Sequence, residues 1–475
     1  MRSVLVLLLG ASVAHANGRP SAVSTIHWQP GQPQHLVAGL TFGVILSQDG
    51  GATWQWMCEK AVGYGGVYDP DYAYTATGAL FATTFGGLRV MRDGCVFGAA
   101  PPGTTFVSQV EVSPDGRVFY AAADPHDAGI YQSSDDGVTF PISAAPGRPN
   151  DWWESLVFGS AQRVYLAGYR FQSHCVAGTV GAGDDCTTDA DCPIIEPRRH
   201  KGGTCADATK HFLLLRSDDG GASFQYEPQT GLPPATNAAS LAIVGVDAAN
   251  PDLVYARVRD AKDTFYVSTD GAVTWTSILE EPERTAFLVR ASGELVAATK
   301  LSGSKRSLDH GTTWSDLVNP PHIGCLHESP AGEVWACTQN YAQTMIDGMP
   351  AVPADGFGIM KSADLASWTG VLRFQDIAAP VTCPAGTAQH DQCVEKDEGM
   401  PSVWCCLAMQ LGITMPGADC SGRLACVAMP DGPPPTVDGV IKSPPPPPGG
   451  CCDAGELASL WLAVPILAVF RRRRR

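Results

Sequence analysis

A short apolar segment recurs seven times along the chain, each time in the form apolar-x-Ala or a close variant. Turn residues precede the copies, as in Pro114-Asp115-Gly116. Short apolar runs bounded by Gly, Pro, Asp or Asn are typical of β-strands, so the pattern predicts an all-β fold. The seven copies are Leu36-Val37-Ala38, Leu80-Phe81-Ala82, Phe119-Tyr120-Ala121, Tyr165-Leu166-Ala167, Val254-Tyr255-Ala256, Leu295-Val296-Ala297 and Val334-Trp335-Ala336.

A polar motif alternates strictly with these apolar segments. Its full form is Ser-x-Asp-x-Gly-x-Thr-Trp, as between Ser47 and Trp54. Ser and Asp side chains bond backbone N–H groups in tight turns, and Gly accepts a positive φ there. Each copy is therefore predicted to join two antiparallel strands, a structural role that needs no ligand. The motif's aspartates are Asp49, Asp93, Asp135, Asp219, Asp270, Asp309 and Asp364.

The alternation divides residues 17–374 into seven units of roughly 35 to 45 residues, the length of a propeller blade with four short strands. We therefore predict a seven-bladed β-propeller, and a six-bladed ring if the weak second unit does not form a blade. Single blades cannot bury both faces, so the ring must close. The predicted blades are 22–58, 64–98, 104–143, 151–228, 237–280, 283–317 and 320–374.

The polar motif is similar to the Asp box, or BNR repeat, of the sialidase-like propellers. In that family the boxes lie away from the catalytic face, which carries three arginines, a Tyr nucleophile paired with Glu, and an Asp acid/base. Here the Arg-Ile-Pro-like segment is reduced to Gly18-Arg19-Pro20. Arg148, Arg170 and Arg284 fall in predicted loops, but the sequence pairs them with no Tyr/Glu couple. We predict a binding or structural module rather than an enzyme, with a divergent sialidase-like glycoside hydrolase as the alternative.

Aromatic and acidic residues cluster where blade four begins, at Asp151-Trp152-Trp153-Glu154. The loop that leads into the innermost strand of a blade lies on the face that usually binds ligands. Tyr64 occupies the matching loop of blade two, and Tyr169-Arg170 follows the second strand of blade four. Aromatics beside acids suit a glycan or a protein ligand, and we predict this surface as the binding site. The alternative is that Trp152 and Trp153 pack between blades.

The chain has 16 cysteines, and in an exported protein such a number indicates disulfides. Cys325 and Cys337 lie opposite one another across the first hairpin of blade seven, which suits a disulfide. Cys58 and Cys95 are the predicted clip between blades one and two. No Cys/His spacing resembles a zinc site, so we predict neither a metal nor a cofactor.

Two cysteine-rich segments stand apart from the repeats. Residues 171–209 interrupt blade four and contain four cysteines, for which we predict two internal disulfides. The acidic cluster in this insert is a weak calcium candidate, because it lacks ordered ligand spacing, and solvated acids are favoured. Residues 375–428 contain six cysteines and are predicted to form a small stapled module.

The two ends of the chain indicate export and anchoring. Residues 1–16 have the charge, apolar run and Ala14-His15-Ala16 site of a signal peptide. A Pro-rich stalk at 429–450 precedes Cys451-Cys452, a short apolar stretch and five arginines. This end, 451–475, resembles the C-terminal sorting signals of myxobacterial surface proteins. The resemblance implies cleavage by a sorting protease near Cys451 or Cys452 and attachment to the cell envelope; a tail anchor is the alternative.

The formal net charge of −16 excludes nucleic acid as a favoured partner, since phosphate contacts need a basic face. A role like that of the Asp-box propellers that help build photosynthetic complexes is a third interpretation, and predicted export to the surface disfavours it. The sequence therefore predicts an exported, surface-anchored propeller that binds an unidentified glycan or protein.

Overall fold

Seven antiparallel β-sheets follow one another along the chain in this computed structural model, and six of them are built from consecutive strands alone. The second unit forms a complete sheet, so the seven-bladed prediction is confirmed and the six-bladed alternative is wrong. The structure describes residues 20–66, 68–101, 106–123, 129–144, 151–175, 185–186, 192, 204–282, 284–301, 303–343, 351–395 and 401–414.

The first four blades contain strands β1 to β17. The strands are β1 (Val23–Gln29), β2 (Gln32–Leu40), β3 (Gly43–Ser47), β4 (Gln55–Met57), β5 (Tyr72–Tyr74), β6 (Leu80–Ala82), β7 (Arg89–Met91), β8 (Phe97–Ala99), β9 (Val107–Val112), β10 (Val118–Ala122), β11 (Ile130–Ser133), β12 (Ile142–Ala144), β13 (Asp151–Phe158), β14 (Val164–Cys175), β15 (Asp185–Cys186), β16 (Cys205–Ser217) and β17 (Gln225–Tyr226). A one-turn helix α1 (Glu59–Val62) links blades one and two.

The last three blades contain strands β18 to β29. The strands are β18 (Ser240–Val246), β19 (Val254–Arg259), β20 (Asp263–Ser268), β21 (Thr276–Glu281), β22 (Ala286–Val289), β23 (Leu295–Ala298), β24 (Lys305–Ser307), β25 (Ser315–Asp316), β26 (Cys325–Glu328), β27 (Val334–Cys337), β28 (Ile359–Ser362) and β29 (Thr369–Leu372). The seven apolar-x-Ala segments all lie in the second strand of a blade. Their alanines are among the most buried residues, because these strands meet neighbouring blades on both faces.

The Ser-x-Asp motifs form the turns between the third and fourth strands. At Ser47, the hydroxyl donates to Asp49 Oδ1 (2.8 Å) and accepts from the Gly51 N–H (2.9 Å). The Thr53 N–H and hydroxyl both donate to the Asp49 carboxylate, at 2.8 and 2.6 Å. Four other copies repeat these bonds, and the shorter turns at Asp93 and Asp364 keep the carboxylate-to-backbone bonds. The carboxylates therefore satisfy backbone donors of their own turns, as the sequence predicts.

A C-terminal segment fastens the ring. This clasp, described at 375–395 and 401–414, contains β30 (Ala379–Pro380), a π-helix (Gln389–Val394) and α2 (Val403–Leu411), after a 3-10 turn at Phe374–Asp376. Strand β30 pairs in parallel with β4, the outermost strand of blade one. Gln389 is fully buried and bonds the Trp56 carbonyl and the Cys58 N–H, both at 3.0 Å. The clasp thus shares the core of blade one.

Two disulfides join the clasp to the ring. Cys58 pairs with Cys393, and Cys95 pairs with Cys383. The predicted pairing of Cys58 with Cys95 is therefore wrong, because each cysteine faces the clasp rather than the neighbouring blade. Cys405 and Cys406 are also disulfide-bonded.

The hairpin disulfide of blade seven agrees with its prediction. Cys325 and Cys337 are register partners of β26 and β27, with Cα atoms 4.9 Å apart, and they are bonded. This pairing was predictable because a hairpin register depends only on local spacing.

The insert of blade four extends a hairpin of the blade. Strands β14 and β16 remain paired from Val164 and Ser217 out to Cys175 and Cys205. Disulfides Cys175–Cys192 and Cys186–Cys205 bear out the prediction of two internal disulfides. The acidic side chains of the weak calcium candidate lie outside the described residues.

The predicted signal peptide, the Pro-rich stalk and the sorting signal with Cys451 and Cys452 also lie outside the described residues. Within the part of the chain that the structure describes, no helix has the length and apolar character needed to cross a membrane.

Candidate functional site

The two faces of the ring carry different loops. Strands alternate in direction within each blade, so the Ser-x-Asp turns and the first-hairpin turns share one end, called here the lower face. Loops that lead into the innermost strands, and loops between second and third strands, share the upper face. Trp152, Tyr169 and Arg170 lie at the upper face, where the sequence predicts a binding surface.

A row of aromatic rings crosses the upper face from blade two to blade four. Successive ring centroids are separated by 4.6 Å (Tyr68–Phe85), 5.1 Å (Phe85–Phe106), 5.0 Å (Phe106–Trp152) and 6.3 Å (Trp152–Tyr169). Phe85 is 60% exposed, which is unusual for a large apolar side chain. We call these five residues the aromatic row. Four of its rings are exposed or partly exposed on the predicted binding face, whereas Tyr169, at 4% exposure, is its buried end.

The rings of the row stack on one another. The planes of Phe85 and Phe106 differ by 29°, those of Phe106 and Trp152 by 23°, and those of Trp152 and Tyr169 by 22°. Stacked neighbours cover the ring faces, so Trp152, which is partly exposed, offers mainly its edge to solvent. Phe85, at the more open part of the row, offers the most surface to a ligand.

Two residues predicted for the binding surface are structural. Tyr64 is 8% exposed, and its hydroxyl bonds the carbonyls of Leu40 and Gly43 at 3.1 Å. Trp153 is fully buried and packs with Phe119 and Leu156 in the core between blades three and four. Packing between blades, the alternative for the tryptophan pair, therefore describes Trp153, whereas Trp152 contributes to the aromatic row.

The candidate arginines do not gather around one point in the described residues. Arg170 donates twice to the buried Asp151, with Nη2 2.6 Å from Oδ2. Arg284 is 3% exposed and donates to the Gly303 carbonyl while pairing with Glu281 at 3.0 Å. Arg148 lies outside the described residues. Arg170 and Arg284 are thus held by protein groups, and neither is free to bind a ligand carboxylate.

A buried acid and a buried lysine lie beside the aromatic row. Glu154 occupies a bulge in β13, between Trp153 and Ser155 of the ladder, and bulges redirect side chains. Burial raises the pKa of Glu154 to about 7, against the opposing effect of Lys210 and Arg259. The Lys210 ammonium lies 3.8 Å from the centroid of Tyr169, and burial lowers its pKa. A carboxyl group with this pKa can donate or accept a proton near neutral pH.

The sequence analysis did not identify Tyr68, Phe85, Phe106 or Lys210. Phe85 follows the second strand of blade two, and Phe106 precedes the innermost strand of blade three. In blade four, Tyr169 and Trp152 lie within the corresponding second and innermost strands, which extend further toward the upper face. Comparing equivalent loops of all seven blades for aromatic residues would have found them.

Two groups of potential metal ligands occur among the described residues. Cys175, Cys186 and Cys192 are close together, but all three are in disulfides and offer no thiolate. His390 bonds Asp391 at 2.7 Å and lies 3.5 Å from Glu395, and both acids are exposed. Both contacts are made by His390 Nδ1, and exposed acidic groups of this kind are common without an ion, so this second group carries no assignment of a metal centre.

Comparison with known proteins finds no matching family model and no curated relative. Several solved structures are similar at low identity and low TM-score. An extracellular domain from B. thetaiotaomicron is 11% identical, with a TM-score of 0.42 over 66% of this chain and 37% of that one, so the match spans about a third of its length. YCF48 from Cyanidioschyzon merolae is 12% identical, with a TM-score of 0.41 over 66% and 92%. The GH74 xyloglucanase of Xanthomonas campestris is 12% identical, with a TM-score of 0.29 over 76% and 74%.

Proposed function

We propose that the protein is an exported binding module whose upper face captures a polypeptide ligand along the aromatic row. The observation that carries this proposal is the row itself, with Phe85 60% exposed among four stacked rings. Exposed aromatic surface of this kind is rare on a protein without a partner, and aromatic residues dominate binding energy at protein interfaces.

The stacking favours a polypeptide over a glycan. A sugar ring binds an aromatic side chain by lying flat on an open ring face. Here Trp152 is stacked against Phe106 and Tyr169, so its faces are covered. An apolar strip of ring edges instead suits the alternating side chains of an extended peptide, which can contact several rings in turn.

The experiment combines a peptide array and a glycan array, both probed with the mature chain and with Phe85→Ala and Trp152→Ala. We expect binding to peptides rich in apolar side chains, and a loss of at least about tenfold in each variant, as for an interface hot spot. Leu308→Ala is the matched control, because Leu308 is 72% exposed on the lower face and belongs to no aromatic row.

Unchanged peptide binding in both row variants would refute the proposed surface. Glycan binding that Trp152→Ala weakens, without peptide binding, would assign a carbohydrate ligand to the same face.

A glycoside hydrolase of the sialidase type is the second candidate. The observation in its favour is the Glu154–Tyr169 pair: burial raises the pKa of Tyr169, and the charge of the neighbouring Glu154 adds to the effect. Against it, Arg170 is paired with Asp151 and Arg284 with Glu281, so the two arginines do not converge on one substrate carboxylate. Hydrolysis of a fluorogenic sialoside that disappears in Glu154→Gln and in Tyr169→Phe would establish this function, whereas no turnover in the wild type would reject it.

Export and anchoring through the C-terminus complete the proposal. Its support is the signal-peptide pattern at 1–16, the Cys-Cys, apolar and arginine series at 451–475, and the disulfides, of which five are assigned to pairs of described residues; disulfides persist in oxidising compartments. Replacing Cys451 and Cys452 by Ser should release the protein from the cell envelope into the medium. Retention of the double variant in the envelope fraction would contradict processing at these cysteines.

A further inference from the structure

A second concave region lies inside the ring, below the upper face. The innermost strands of blades one, two, three, six and seven enclose a cavity of about 580 Å³, within the range of small-molecule sites. Its lining includes Gln29-Pro30, Ser113-Pro114 and Ser329-Pro330, where three of these strands end at the lower face. We call it the channel cavity. It contains no residue of the aromatic row.

The walls of the channel cavity are acidic and aromatic. Glu111, Glu328, Trp28 and Tyr74 line it, and no lysine or arginine is among its described lining residues. The Glu328 carboxylate is compensated by Arg290, whose Nε lies 3.0 Å away. Among the described residues no basic side chain pairs with Glu111, and the charge that acts on it is that of Asp71, another acid, which accepts the N–H groups of Tyr72 and Val110 at 3.0 and 3.3 Å.

The two histidines of the cavity are neutral and do not offset the negative charge of its acids. Burial lowers the pKa of His27 to about 3 and that of His327 to about 4, so both are neutral near pH 7. The Ile26 N–H donates to His327 Nε2 at 3.3 Å, which places the proton of this neutral ring on Nδ1. His27 Nε2 is bonded to the Thr25 hydroxyl at 2.7 Å. A transition metal bound through these Nε2 atoms would have to break both bonds, so the geometry disfavours a metal.

We propose that the channel cavity binds a small organic cation, whose ammonium group contacts the Glu111 carboxylate and the rings of Trp28 and Tyr74. Aromatic faces attract ammonium groups, and the attraction strengthens when the cation is desolvated, as inside a channel. A bound cation would also relieve the repulsion between Glu111 and Asp71, which no described basic side chain offsets.

Binding should be linked to proton release. Burial and the charge of Asp71 raise the pKa of Glu111 well above its ordinary value, so the proton and the ammonium compete for the same carboxylate. Asp71 takes part in this competition, because burial raises its pKa to about 6, whereas His27 and His327 are neutral and Glu328 is paired with Arg290. Affinity should therefore rise with pH as Glu111 loses its proton.

The test is calorimetry of choline binding to the mature chain at several pH values between 6 and 9, in buffers of different ionisation enthalpy. We expect saturable binding with proton release, and at least about tenfold weaker binding of the uncharged isostere 3,3-dimethyl-1-butanol. Glu111→Gln, which preserves side-chain shape, and Tyr74→Leu should each lose about tenfold or more.

Glu154→Gln is the matched control, since Glu154 is also a buried acid with a raised pKa on an innermost strand, but lies outside the cavity. It should bind choline like the wild type. No saturable binding, equal binding of the uncharged isostere, or unchanged binding in Glu111→Gln would each overturn the proposal. None of these outcomes bears on peptide capture at the upper face.

Discussion

The clasp and the blade-four insert are both cysteine-rich segments outside the repeats, and their disulfides span very different lengths of chain. The two clasp disulfides close loops of 335 and 288 residues. The two insert disulfides close loops of 17 and 19 residues. The clasp therefore ties the end of the propeller to its first two blades, whereas the insert braces only the hairpin that carries it.

The side-chain contacts agree with this difference. Trp404, Leu407 and Leu411 of the clasp belong to the same buried cluster as Trp56 and Ile26 of blade one. The buried insert cysteines form a small cluster of their own with Cys205. The comparison teaches that cysteine content alone does not identify a stabilising module, because the effect of a disulfide depends on which parts of the fold it connects.

Removing a clasp disulfide should have the largest effect. Because the Cys95–Cys383 disulfide stays intact, Cys58→Ser combined with Cys393→Ser frees a loop of roughly 50 residues, for which chain entropy predicts a loss of about 4 kcal/mol. Urea unfolding of the oxidised protein measures it. A loss below about 1 kcal/mol would show that packing alone closes the ring.

Truncating the clasp core should come next. Trp404 is 7% exposed, and its ring lies 5.4 Å from that of Trp56. Trp404→Ala should destabilise the whole propeller by about 3 kcal/mol or more, with a single transition, because clasp and blade one share a core. A separate early transition that leaves the propeller folded would instead mark the clasp as an independent unit. Met409→Ala, on the same helix at 39% exposure, is the control.

Glu154, on the innermost strand of the blade that carries the insert, should make the stability of the protein depend on pH. An unfolded Glu ionises near pH 4.3, and burial raises the pKa of Glu154 to about 7 in the folded chain. Its stabilising contribution is therefore present below pH 4 and is lost as pH rises through 7. Between pH 5 and 8 the free energy of unfolding of the wild type should therefore fall by on the order of 1 kcal/mol more than that of Glu154→Gln, as measured by urea unfolding at each pH. Parallel pH curves for the two proteins would contradict the raised pKa.

Removing an insert disulfide should have the smallest effect on the ring. Chain entropy predicts an effect of about 3 kcal/mol for the 17-residue loop that Cys175→Ser with Cys192→Ser relaxes, but these cysteines belong to a cluster separate from the ring. We therefore expect the effect to fall on the insert, as faster proteolysis of it, and propeller stability to change by less than about 1 kcal/mol. A loss as large as that of the clasp variant would mean that the insert, like the clasp, stabilises the ring.

Much of the fold could be predicted from local sequence. The apolar-x-Ala segments and the Ser-x-Asp turns depend on contacts within a few residues, so seven blades, their order and the Cys325–Cys337 hairpin bond could be predicted. Even the wrong pairing of Cys58 with Cys95 named two cysteines that do form disulfides, each with a cysteine of the clasp.

The sequence by itself thus determined the repeat, the all-β class and the turn chemistry, because each blade encodes these within its own length. Tertiary structure alone decided which side chains meet across blades: the clasp bonds, the aromatic row from Tyr68 to Tyr169, and the acid pair of Asp71 and Glu111 in the channel. Those contacts depend on the closure and curvature of the ring, which bring together residues that no local spacing relates.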